Sequence, residues 1–134
     1  MKIINNPSWF NQNTGLLLLR IGVGVVFLVH GYGKLGNMEG TIGFFAMLGL
    51  PAFIAWAVAL IETIGGRALI AGIYTRVSAL ALAIIMIGAV STAKRGKPFG
   101  SFELDFVLFM ANLALAAIGP GMYALKKKII ANPQ

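Results

Sequence analysis

The chain has 134 residues, 58% of them hydrophobic and 11% charged, and a formal net charge of +7. Soluble domains average about 25% charged residues, so this chain lacks the material for a polar shell, and a water-soluble globule is excluded. It has no cysteine and one histidine, His30, which excludes disulfides, thiolate metal centres and a multi-histidine metal or haem site. No metal and no covalently attached cofactor are expected.

A helix needs about 20 mostly apolar residues to cross the hydrocarbon layer, and four windows qualify. The first, 14–35, follows a polar arm, Asn5 to Thr14. Its apolar run is long and no small-residue cleavage site follows, so it reads as a span and not as a removable signal peptide. Gly36-Asn37-Met38-Glu39-Gly40 then breaks the pattern. The apolar stretch from Ile42 to Leu50 is too short to span and predicts an interfacial or re-entrant helix. It is stopped by Pro51, which suits the first turn of the next helix.

The second window, 52–74, and the third, 75–93, are joined only by Tyr74-Thr75-Arg76, which predicts a tight antiparallel hairpin. Lys94-Arg95-Gly96-Lys97-Pro98 ends the third. The fourth runs over 104–125; Gly119-Pro120-Gly121 near its end should kink or terminate it, and Lys126-Lys127-Lys128 follows. No internal repeat is present. The expected fold is an all-α membrane protein: a four-transmembrane-helix antiparallel bundle, with a short interfacial helix between spans one and two, forming a single transmembrane domain over 1–134.

Excess Lys and Arg in such a chain read topology and anionic headgroups. Nucleic acid is not an expected partner, because no interleaved basic and aromatic surface is present. With four spans both termini share a side. That side carries Lys2, Arg76 and Lys126 to Lys128, against Lys34, Lys94, Arg95 and Lys97 on the other, which predicts cytoplasmic termini.

Ionisable residues inside a span are costly and therefore mark candidate functional positions. At about 100° per residue, Arg20, His30 and Lys34 fall within an arc of about 80° on span one, and Gly24, Phe27 and Gly31 share that face. This polar stripe should face the interior, although Arg20 and Lys34 could also snorkel to opposite surfaces. Span two carries Glu62 near its middle. Its expected partner is Arg20 or His30, either as a register-fixing pair or as part of a site. Gly65 and Gly66 share the face of Glu62 and leave room for close helix approach or for a small ligand. Arg67 points about 140° away from Glu62 and is assigned to the membrane surface. A secondary polar cluster is expected from Glu103, Asp105 and Asn112 on span four. Within it, Glu103 reads as a cap at the helix N-terminus and Asn112 as an interhelical hydrogen bond.

Leu19-Arg20-Ile21-Gly22, His30-Gly31-Tyr32-Gly33-Lys34-Leu35, Phe44-Phe45 and Leu48-Gly49-Leu50-Pro51 occur in that order. Ile61-Glu62-Thr63-Ile64-Gly65-Gly66, Gly72-Ile73-Tyr74-Thr75-Arg76, Phe102-Glu103-Leu104 and Gly119-Pro120-Gly121 follow. In this series, from Leu17 to Leu125, the chain resembles the DoxX family. The resemblance implies a four-helix integral protein of the bacterial cytoplasmic membrane. It also implies a loose association with oxidoreductase systems, because the family takes its name from a subunit of a quinone-linked respiratory complex. The chain departs from many members at Tyr123-Ala124-Leu125-Lys126-Lys127-Lys128, which changes the charge of the end but not the bundle.

Three functions follow as expectations. The first is a redox-associated membrane protein that binds a quinone or similar lipophilic molecule, with Arg20 and His30 donating to its carbonyls and Glu62 relaying protons. It has no redox centre of its own, so an oxidoreductase partner would supply electrons, and whether the chain is itself an enzyme stays open. The second is a non-catalytic scaffold or subunit of an oxidoreductase complex, in which the polar groups only specify packing. The third is a small transporter, in which a homo-oligomer supplies the pathway; the lack of an inverted repeat counts against it.

Overall fold

The computed structural model describes residues 8–125. Those residues form five α-helices and one short 3-10 turn, with no strand among them. The helices are α1 (Gln12–Gly36), α2 (Met38–Met47), α3 (Ala52–Ala71), α4 (Thr75–Thr92) and α5 (Glu103–Ile118). Lys2 and Lys126 to Lys128 lie outside the described residues.

The helix boundaries follow from local chemistry. The Asn11 side chain accepts hydrogen bonds from the backbone N–H groups of Asn13 and Thr14, capping α1. Asn37 plays the same part for α2 through Gly40 N–H. Thus α2 begins four residues before the apolar stretch at Ile42 that announced it. α3 stops at Ala71, three residues earlier than expected. Gly72 there takes a left-handed conformation (φ 76°), and Ile73 N–H reaches Ala68 O while Gly72 N–H reaches Leu69 O. This pairing satisfies the last carbonyls of the helix and needs the freedom of glycine.

α1, α3 and α4 are long and apolar enough to cross a membrane. α5 has 16 residues, about 24 Å at 1.5 Å per residue, and ends at Ile118 instead of reaching Leu125. Gly119-Pro120-Gly121 terminates it. Proline cannot continue the hydrogen-bond ladder, and Gly119 and Gly121 both have positive φ. The N–H groups of Arg76 donate to Ala117 O and Ile118 O at 3.2 Å, so a cation from the start of α4 covers the negative end of α5.

α1 packs chiefly on α3, and α4 chiefly on α5. The buried core runs through Phe27, Leu69, Ala79, Leu82, Met86 and Leu115. Large apolar side chains such as Leu18, Val29, Phe53, Ile64, Val77 and Ile84 point outward, an arrangement suited to hydrocarbon and not to water. The α1–α3 contact rests on glycine. A Cβ on Gly66 would lie 2.7 Å from Gly24 O and 2.8 Å from Leu28 N, and one on Gly24 would lie 2.7 Å from Gly66 O. Gly31 meets Thr63 in the same way. These contacts run in opposite order along the two helices.

Candidate functional site

That opposite order decides which charges meet. With Gly31 against Thr63, Lys34 lies one turn further along α1 and reaches the carboxylate of Glu62. Lys34 Nζ donates to Glu62 Oε2 at 2.7 Å. Glu62 is 2% exposed, while the lysine side chain keeps about a quarter of its surface open, at 26%. The pair is therefore buried at the carboxylate and open at the amine.

Arg20 and His30 do not join it. Arg20 precedes Lys34 by fourteen residues on one helix, about 21 Å of rise. It is 1% exposed and is turned toward the segment that follows α5. Its Nη1 donates to Pro120 O at 2.9 Å and its Nη2 to Tyr123 O at 2.6 Å. The expected Arg20–Glu62 pairing is thus replaced by Lys34–Glu62. His30 is exposed on α1. The three groups share an arc but not a height, so a projection down the helix axis could not separate them.

Replacing Arg20 with Met removes both donors and is expected to free residues 119–125 from the bundle. Hydrogen exchange there should rise sharply, with a global loss of about 2 kcal/mol, the scale of a hydrogen bond to a charged group. Unchanged protection of that segment would contradict the assignment.

Of the two uses expected of Gly65 and Gly66, close helix approach is the one that the packing shows. Gly66 is occupied by the α1 backbone, and a Cβ on Gly65 would press on Leu82 at 3.3 Å. They serve close helix approach, and the space lies elsewhere. A cavity of about 440 Å³ is bounded by α2 (Phe44, Phe45, Leu48), α3 (Ile54, Val58, Glu62) and α4 (Ile84, Ile85, Gly88), with Lys34 and Lys94 at its polar end. Its volume and apolar lining fall in the range of small-molecule sites. The main polar groups in its wall are thus two amines and one carboxylate.

The secondary cluster divides likewise. Asp105 pairs with Lys94, and Glu103 is exposed in the first turn of α5. Asn112 is 0% exposed and two turns deeper. Its Nδ2 donates to Leu108 O of its own helix at 2.9 Å, and among the described residues the expected interhelical bond is not formed. The sequence reads Lys94 as a topology-setting cation in the loop that ends span three, and not as a group beside Glu62. Its place in the cavity wall depends on α4 ending beside α5, which no local pattern announces.

The DoxX family profile matches residues 15–95 of the chain. The Bacillus subtilis (strain 168) protein named "Putative oxidoreductase CatD" is 44% identical over 112 residues, covering 83% of this chain and 84% of that protein. The Escherichia coli (strain K12) inner membrane protein YqjF is 29% identical over 123 residues, covering 87% and 92%. The Mycobacterium tuberculosis "Uncharacterized membrane protein Rv3486" is 28% identical over 145 residues, covering 92% and 89%. No solved structure matches the chain.

Proposed function

The chain belongs to the DoxX family of membrane proteins, and from that footing we propose that it binds a quinone or similar lipophilic molecule in the cavity beside Lys34 and Glu62, in association with an oxidoreductase. The observation that carries the reading is a buried carboxylate, closed by a part-exposed amine, in the wall of a largely apolar cavity. In this reading Lys34 and Lys94 donate hydrogen bonds to a carbonyl oxygen at the polar end. Glu62 is placed to hold or release a proton there. A bound quinone would supply the electron-accepting group that the side chains lack. A cavity of about 440 Å³ takes a ring headgroup, and a long tail would leave sideways between α2 and α4 into the bilayer.

In this reading α5 is the fourth crossing, packed along α4, in an antiparallel bundle, and α2 lies at the interface. The Escherichia coli relative named as an inner membrane protein supports the bacterial inner membrane as the location. Cytoplasmic termini follow from the cation count and put the Lys34 end at the outer leaflet. The name of the Bacillus subtilis relative supports the redox association. The second reading is a scaffold or complex subunit without a ligand, favoured by the fact that Lys34 and Glu62 already satisfy each other.

Equilibrium dialysis of the purified protein in nanodiscs against decyl-ubiquinone and a short-chain menaquinone separates the two readings. Glu62→Gln and Lys34→Met should each weaken binding about tenfold, the scale of one charge-assisted hydrogen bond. His30→Ala, altered outside the cavity, should bind as the wild type does. Absence of binding removes the ligand and leaves the scaffold, and equal binding by all variants removes the Lys34–Glu62 cavity as the site.

A further inference from the structure

A second cation inside the helices has no carboxylate to answer it. Arg67 stands on the exposed face of α3, next to Gly66, which packs on Gly24, the middle residue of α1 (Gln12–Gly36). Arg67 does not stretch toward the near end of α3. Its guanidinium carbon lies 5.0 Å from the ring centroid of Tyr32, eight residues beyond Gly24 on α1. This direction follows from geometry, because side chains lean toward the N-terminus of their own helix. Here that lean carries the charge back along the helix and away from the nearest headgroups.

The guanidinium therefore sits between the two polar ends of the structure, one at Arg20 and Gly72, the other at Lys34 and Glu62. Tyr32, Leu60 and Ile64 around it are exposed and apolar or aromatic. A cation–π contact attracts the charge but does not neutralise it. Among the described residues Arg67 forms no ion pair.

We propose that this α1–α3 seam docks a membrane-spanning helix of another protein that carries an Asp or Glu at mid-bilayer, paired with Arg67. A second copy of the chain in the same orientation does not fit. The chain has four acidic residues. Glu62 is closed on Lys34 and Asp105 on Lys94. Glu39 stands in the first turn of α2 and Glu103 in the first turn of α5. Two are already paired and two stand at helix starts, so none is free to answer Arg67 of a second copy. A carboxylate from a partner helix would form a bidentate pair with the guanidinium, in a medium where interhelical polar contacts direct association. The surface is separate from the cavity, so its test stands or falls apart from quinone binding.

Synthetic transmembrane peptides of about 20 Leu and Ala residues, with Glu or Gln at the centre, provide the probe. Their association with the labelled full-length protein in phosphatidylcholine vesicles is read by energy transfer. The Glu peptide should bind about tenfold tighter than the Gln peptide. Arg67→Gln should abolish that preference, while Arg67→Lys, which keeps the charge, should retain part of it. Equal binding of the two peptides to the wild type overturns the proposal. So does a Glu preference that survives Arg67→Gln, since it would then belong to another cation. Displacement of the Glu peptide by added phosphatidylglycerol would assign Arg67 to lipid phosphate instead and also overturn it.

Discussion

Gly66→Ala is expected to destabilise the protein by about 3 kcal/mol, the upper range for forcing an extra group into a packed contact. The new methyl would lie 2.7 Å from Gly24 O and 2.8 Å from Leu28 N. Both are backbone atoms of α1, so no rotamer change relieves the clash and the two helices must separate. Gly24→Ala should behave alike, because its methyl would lie 2.7 Å from Gly66 O. Gly22 and Gly88 are also helical, but a Cβ at either meets nothing within 4 Å. Alanine at these two positions should be neutral or stabilising by up to about 1 kcal/mol through helix propensity. Denaturation in mixed micelles, scanned for all four variants, distinguishes the pairs. If Gly66→Ala unfolds where Gly88→Ala does, the close approach of α1 and α3 is wrong.

The second large effect lies in the Lys34–Glu62 pair and is asymmetric. Lys34→Met leaves the carboxylate of Glu62, 2% exposed, without its cation. That should cost about 3 kcal/mol, as for a buried pair broken from one side. Glu62→Met leaves Lys34, whose side chain is 26% exposed and can swing its amine toward the surface; about 1 kcal/mol is expected. The double variant Lys34→Met with Glu62→Met should recover most of the loss, since an apolar pair of similar volume removes the desolvation penalty. A double-mutant cycle measures the coupling. Simple additivity of the two losses would show that the side chains do not depend on each other.

Much of this architecture is legible in the sequence. Pro51, the Gly36-Asn37 break and Gly119-Pro120-Gly121 mark helix limits through backbone chemistry that acts locally. Glu62 stands out because a carboxylate among apolar residues must be answered by something. What answers it was not legible. A helical projection puts Arg20, His30 and Lys34 on one arc, and only the pairing of α1 with α3, set by Gly24, Gly31 and Gly66, selects Lys34. The partners of Arg20 are carbonyls in an irregular segment, and every residue type carries a carbonyl. The place of the cavity is hidden in the sequence for a related reason. Its walls come from three helices, and each wall reads as ordinary apolar surface until the helices are assembled.

The clasp on Arg20 ties the order of synthesis to the order of folding. Its two acceptors lie 100 and 103 residues downstream, so the first long helix enters the lipid while the groups that will hold its guanidinium have yet to be translated. Until they emerge, the nascent chain has to keep that charge wet, either in the translocon or at the bilayer edge. Final seating of the first helix therefore has to wait for residues 119–125. Truncations or fusions that disturb those few residues should be felt at the opposite end of the gene, as a first helix inserted but unable to lock.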